Sequence, residues 1–195
     1  MVFAVIRLVL YAVIGVAAVV ELYWGCKFVE YVYCAFIRRQ PPTVSSVSVQ
    51  RTAVVEQLRK YYPRARMICE MGSGMGGLMR HIARRCDVRV VGIENMPMAV
   101  CLSRIGNLFC KNCQTRWMDI FEYFDNENPK FDIAVAYLGP WMTPMLEKYQ
   151  TNFDVLLSLD FEIPNRRAVR VVDLPGYVLY GGRKYPHRLY VYEFR

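Results

Sequence analysis

Glu70-Met71-Gly72-Ser73-Gly74-Met75-Gly76 lies between the short apolar run Met67-Ile68-Cys69 and the helical stripe Leu78, Met79, Ile82 and Ala83. An acid closes a buried strand, and three alternating glycines then let the backbone come close to a ligand. About one βαβ unit later a second acid, Glu94, closes the run Val88-Arg89-Val90-Val91-Gly92-Ile93. Acids at the ends of two successive strands, with a glycine loop after the first, are how a Rossmann-like sheet holds an adenosine-bearing cofactor.

The spacing of the glycines bears on which cofactor. Dinucleotide sites use G-x-G-x-x-G and seat a pyrophosphate on the following helix N-terminus. Here the pattern is E-x-G-x-G-x-G, and a carboxylate beside the loop repels a pyrophosphate but suits the cationic amino group of a methionine moiety. That points to S-adenosylmethionine, with Glu94 accepting hydrogen bonds from the ribose hydroxyls. The plainer reading is a tight strand-to-helix turn with no ligand.

Outward from the loop, strands and helices alternate. Val54, Val55, Leu58 and Tyr62 have helical spacing and stop before Pro63. Pro97 to Phe109 reads as a helix with proline in its first turn. Thr115 to Met118 is a third strand, ending at Asp119. Phe131 to Leu138 is a nearly all-apolar fourth, suited to the centre of a parallel sheet. A loop that becomes a helix spans Pro140 to Tyr149, and Asp154 to Phe161 is a fifth strand. Two β runs around Tyr177–Leu179 and Leu189–Tyr192 close the chain as a hairpin. The expected class is α/β: a Rossmann-like, seven-stranded, mostly parallel sheet with an antiparallel C-terminal hairpin, preceded by an N-terminal membrane helix.

The expected organisation is an anchor over residues 1–39, a linker over 40–47 and the catalytic domain over 48–195. Met1 to Val20 is apolar except for Arg7, close to the roughly 20 residues that cross a bilayer. Glu21, Tyr23 and Trp24 follow as an interfacial belt. A cleaved signal peptide is the rival reading, but Ala17-Ala18-Val19-Val20 is a poor cleavage site and apolar sequence continues through Leu22 to Ile37. That second stretch either extends the membrane helix or lies in the interface. Arg38, Arg39, Arg51, Arg59 and Lys60 put more positive charge after the segment than before it. This predicts a single-pass protein whose domain faces the cytoplasm, or the mitochondrial matrix in an organelle. The net charge of +8 fits anionic lipid headgroups; the chain has no separate nucleic-acid module, and nucleic acid is not the expected partner. Seven cysteines include one CxxC, Cys110 to Cys113, without a second CxxC or paired histidines, so no metal is expected.

With these residues in place, the chain resembles the class I S-adenosylmethionine-dependent methyltransferases. More narrowly, it resembles the membrane-anchored lysine methyltransferases that modify the adenine nucleotide translocase and the ATP synthase c subunit. The likeness runs from about Pro41 to Pro164, and its most specific part is Tyr137-Leu138-Gly139-Pro140-Trp141-Met142-Thr143-Pro144-Met145-Leu146-Glu147-Lys148. That segment is similar to the family's P-x-M-x-P-x-L-E loop after strand four; Glu94-Asn95-Met96-Pro97 and Asp119-Ile120-Phe121 also match in kind. The chain departs from the family at Met75, where relatives carry an acid, and at Gly77, where they carry an arginine or similar.

The resemblance implies that Glu70, Gly72, Ser73, Gly74 and Gly76 hold the methionine part, Glu94 and Asn95 the ribose, and Asp119 the adenine amino group. Pro140, Trp141 and Met142 would shape the acceptor channel, with Glu147 or Asp160 orienting the acceptor amine. The implied acceptor is a lysine of a membrane protein, which must lose its proton before it can attack. Two alternatives stand beside it: a lipid-soluble small molecule, and a tethered cofactor-binding protein without turnover. Several residues also have plainer roles. Asp119 suits a helix cap, Glu94 a solvated loop, Trp141 and Met142 core packing, and Glu147 with Lys148 an exposed helical face. His81 and His187 read as structural or surface groups.

Overall fold

The computed structural model describes residues 2–32 and 45–194. The chain divides into two compact units, Met1–Thr43 and Val44–Arg195. The first contains the helix α1 (Val2–Val32), within which Val5–Gly25 is long and apolar enough to cross a membrane. The apolar side chains of Val5–Gly25 are exposed, and the helix is apolar all round over that span. The helix runs on from Leu22 to Val32; the remainder of that stretch, and most of the expected linker, lie outside the described residues.

The second unit begins with α2 (Ser48–Tyr61), followed by β1 (Met67–Met71), α3 (Gly77–Ala83), β2 (Arg89–Glu94), α4 (Pro97–Asn107), β3 (Cys113–Trp117) and α5 (Ile120–Glu127). Then come β4 (Phe131–Ala136), a 3-10 helix (Thr143–Tyr149), β5 (Phe153–Leu159), β6 (Arg170–Tyr180) and β7 (Arg183–Glu193). The seven strands form one sheet in the order β3-β2-β1-β4-β5-β7-β6. It is parallel from β3 to β5, and β7 inserts antiparallel between β5 and β6. The expected fold class is therefore the observed one.

Alternation along each strand sends consecutive side chains to opposite faces. Ile68, Val90, Ile133, Leu157 and Val191 pack with α2 and α3 residues such as Val54, Leu58 and Ile82. Cys69, Val91, Ala134, Leu156 and Tyr192 pack with Phe124 of α5 and Leu146 of the 3-10 helix. The strand order reverses between β1 and β4, so a crevice opens at their carboxyl ends. The Glu70–Gly76 loop leaves β1 at that crevice.

The helix expected to reach Phe109 stops at Asn107. The two C-terminal β runs are each far longer than their apolar centres. An irregularity between Asp173 and Tyr177, where Pro175 and Gly176 fall, breaks the ladder that joins them.

Candidate functional site

The glycine loop is fixed by the strand beside it. The N–H groups of Gly72 and Ser73 both donate to the Ile93 carbonyl at the end of β2, each at 3.0 Å, and Gly76 N–H donates to the Ser73 carbonyl at 2.9 Å. Gly72, Gly74 and Gly76 have φ of 69°, 52° and 74°, the left-handed region where a side chain is strained. The loop also needs a glycine that its own spacing does not reveal. A Cβ on Gly92 of β2 would meet the Ser73 Oγ at 2.6 Å and the Met79 Sδ at 3.0 Å.

Both acids of the pattern, at the ends of β1 and β2, are buried beside this loop. Glu94 accepts from Gly74 N–H at 2.7 Å through Oε2 and from Met96 N–H at 2.9 Å through Oε1. It thereby ties the loop to the start of α4, and a ribose hydroxyl competing for this carboxylate must displace or share those donors. The plainer reading of Glu94 as a solvated acid does not hold, since the residue is only 5% exposed. Glu70 sits against the first turn of α3, where the Met79 backbone N–H bonds it. Burial pushes its pKa up to about 8, and the Glu94 carboxylate adds to that; the Met79 bond and the charges of Arg51 and Arg80 oppose it.

Glu70 Oε2 and Ser73 Oγ are, among the described residues, the buried side-chain polar atoms without a hydrogen-bond partner. Such atoms are rare in native structures and call for a missing partner. A carboxylate oxygen and a hydroxyl in a glycine cradle fit the ammonium and carboxylate of an amino acid moiety. At Gly77, the guanidinium of Arg51 from α2 lies 3.0 Å from where a Cβ would stand. The cation absent from position 77 is thus brought to the same spot by position 51, a substitution that local spacing cannot show.

The acceptor-side candidates fall at the same edge of the sheet. Pro140 is half-buried, and its carbonyl accepts from Thr143 Oγ1 at 3.1 Å, which closes the turn into the 3-10 helix. Met142 is half-buried against the core. Trp141 is exposed and lies over Gly139, where an added Cβ would come within 1.8 Å of its ring. It stacks on Tyr180 of β6, with centroids 5.1 Å apart. Phe161 and Tyr185 continue this aromatic wall, and Tyr137 stacks on Phe161.

Behind the wall lies a polar cluster that the chain assembles from distant segments. Asp160 Oδ2 accepts from Gln50 Nε2 at 2.7 Å and contacts His187 Nδ1 at 2.9 Å; its Oδ1 accepts from Arg188 N–H at 3.1 Å. Asp160 has φ of 64° and is 3% exposed, so the loop after β5 holds it there against backbone preference. His187 Nδ1 also lies 3.1 Å from Gln50 Nε2, so one ring nitrogen faces both Asp160 and Gln50. The sequence suggests Asp160 as an orienting acid and reads His187 as a structural or surface group, and no spacing rule joins the two.

Other candidates are spread more thinly. Asp119 caps α5, accepting from Phe121 N–H at 2.8 Å and Glu122 N–H at 3.4 Å through Oδ1, as its plainer reading had it. Asn95 is half-buried and its carbonyl accepts from Trp117 Nε1. Glu147 is half-buried on the 3-10 helix, and none of the described hydrogen bonds is made by its side chain. His81 lies in the α3 helix with its pKa lowered by partial burial. Cys110 and Cys113 place their Sγ atoms 3.0 Å apart, and no group of three or more metal-ligating side chains occurs among the described residues.

Comparison with solved structures agrees with this architecture. An RNA methyltransferase from Salinibacter ruber in complex with S-adenosyl-L-homocysteine superposes with a TM-score of 0.62 at 22% identity, covering 77% of this chain and 94% of its own. An O-methyltransferase from Bacillus cereus in complex with the same compound gives 0.59 at 15% identity, over 77% and 83%. A precorrin-6y C5,15-methyltransferase from Geobacter metallireducens gives 0.57 at 11% identity, over 76% and 91%. The chain therefore has the class I methyltransferase fold. No protein-family model matches it, and no curated protein matches it in sequence.

Proposed function

We propose that this chain is an S-adenosylmethionine-dependent methyltransferase, tethered to a membrane by α1 with its domain on the cytoplasmic or matrix side, that modifies a lysine of a membrane protein. The observation that carries the cofactor assignment is the pair of unpartnered buried atoms, Glu70 Oε2 and Ser73 Oγ, inside a loop of left-handed glycines. The two neighbours crystallised with S-adenosyl-L-homocysteine support it. When bound, the cofactor supplies an activated sulfonium methyl.

The chain's own residues hold and orient. Glu70 and Ser73 take the amino acid end, with the Gly72–Gly76 backbone close enough to follow it. Glu94 takes the ribose, exchanging the Gly74 N–H bond for hydroxyl donors, and Asn95 and Asp119 flank the adenosine end. On the acceptor side, the rings of Trp141, Tyr180 and Tyr185 form a wall that attracts an ammonium through cation–π contact and excludes water. Pro140 and Met142 shape its base. Before attack, the lysine ammonium gives up a proton, and we assign its acceptance to neutral His187, whose ring Asp160 holds at Nδ1. Orientation of the neutral amine then supplies the rest of the acceleration. Glu147, without a part in this network, takes the lesser role of lining the channel.

The same aromatic wall suits a flat, lipid-soluble small molecule, which is the second reading. Tritiated methyl transfer to membranes discriminates between them. The lysine reading expects label in methyl-lysine after acid hydrolysis of the protein fraction. Label confined to the lipid extract supports the small-molecule reading, and no label in either with folded, cofactor-binding protein contradicts both.

A further inference from the structure

Helix α4 is apolar on two faces, and only one of them is used by the fold. Ala99, Val100 and Ser103 are buried against the sheet, where Ser103 Oγ and Thr115 Oγ1 hydrogen-bond at 2.7 Å. Met98, Leu102 and Ile105 recur at four- and three-residue spacing on the other side, all exposed. The stripe continues past the helix end through Leu108 and Phe109, which are 75% and 86% exposed. At the opposite end Trp117, 60% exposed, donates its indole N–H to the Asn95 carbonyl, which sets its ring beside the start of α4.

The charges around this stripe have one sign. Arg104, Lys111 and Arg116 are exposed, and residues 95–118 contain no aspartate or glutamate. A row of large apolar side chains with a tryptophan at its end and cations around it is the makeup of a helix that lies in a lipid interface. Anionic headgroups complement the three cations, whereas an intramolecular or subunit interface would call for acids or polar partners at the rim.

We propose that the outer face of α4, with Phe109 and Trp117, is a second membrane-contact surface of this protein. It docks the catalytic domain flat against an anionic bilayer. This surface is distinct from α1 and does not depend on methyl transfer. It lies directly after Glu94, so docking brings the crevice at the carboxyl ends of β1 and β4 to the lipid surface, where a membrane-embedded acceptor is presented.

The test uses the full chain reconstituted in vesicles, with Trp24→Phe and Trp141→Phe leaving Trp117 as the one tryptophan of the three. The vesicles are phosphatidylcholine with or without phosphatidylglycerol, and carry bromine on the acyl chains as a contact quencher. The expected result is strong quenching of Trp117 in phosphatidylglycerol vesicles, less in phosphatidylcholine alone, and loss of quenching at high salt. Each of Arg104→Ser and Lys111→Ser should lower the equilibrium constant for docking roughly fivefold. Phe109→Glu should abolish quenching while leaving the circular dichroism unchanged, since its side chain contributes nothing to the core. Trp117 emission that is the same in brominated and ordinary lipid overturns the proposal. So does a Trp117 that is shielded equally in detergent and in vesicles, because the face is then covered by protein: a partner, a second copy or the chain's own helix.

Discussion

Glu70→Gln should change how the stability of the domain depends on pH, in a direction the structure fixes. The carboxyl is buried beneath the glycine loop, and its pKa stands at about 8 instead of the ordinary 4.5. A raised native pKa means that the folded state holds a proton the unfolded chain has already released. The stability it contributes is therefore complete below pH 4.5 and is lost as pH rises towards 8. Over that interval the loss is about 1.4 kcal/mol per pH unit, or roughly 4–5 kcal/mol in all. Glutamine has no proton to lose, so the variant lacks this slope. Its amide N–H group takes the place of the unpartnered Oε2 and costs about 1–3 kcal/mol at every pH. The variant should thus be slightly less stable than the parent at pH 5 and more stable by roughly 2–3 kcal/mol at pH 8. Urea unfolding of both proteins in the same detergent, followed by far-ultraviolet circular dichroism from pH 5 to 8, reads this as crossing midpoints. Curves that stay parallel across the range would refute the burial argument for Glu70.

Three further substitutions test separate parts of the site. Gly92→Ala drives a methyl into Ser73 and Met79 and should cost about 1–3 kcal/mol, visible as a lower melting temperature with weakened cofactor binding. Gly139→Ala places a Cβ within 1.8 Å of the Trp141 ring and must move it off Tyr180. The KM for the acceptor should rise while cofactor affinity stays the same, as steady-state kinetics and calorimetry would separate. Asp160→Asn tolerates the left-handed backbone but removes a charged acceptor from His187, Gln50 and Arg188. It should cost about 1.5–3 kcal/mol in stability and lower kcat with a displaced pH profile, whereas a purely structural role leaves the profile in place.

The elements whose signal is local were legible in the sequence. Glu70, the three glycines and Glu94 declare a strand, a loop and the next strand within 25 residues, and the structure puts β1, α3 and β2 there. The apolar Phe131–Ala136 reads as a central strand because both of its faces are buried. What could not be read is what long-range packing creates. Gln50 and His187 meet Asp160 from 110 and 27 residues away, and no spacing rule links them. His187 looks like a surface residue because its neighbours Lys184, Pro186 and Arg188 are polar or turn-forming, yet β7 inserts between β5 and β6 and buries it. Only the part of β6 around Tyr177–Leu179 was legible, because none of the strand's side chains is fully buried and Pro175 and Gly176 interrupt it. Arg51 escaped because its guanidinium does its work at Gly77, on another helix.

On the proposed function, the crevice at the carboxyl ends of β1 and β4 binds S-adenosylmethionine through Glu94. Calorimetric titration of the cofactor into the full chain in detergent, beside a Glu94→Gln variant of matching circular dichroism, tests it most directly. Saturable binding by the parent is expected, with an affinity about 100-fold lower in the variant, the loss of two hydrogen bonds to a charged acceptor. No binding by the well-folded parent, or equal affinity in the two proteins, would contradict it.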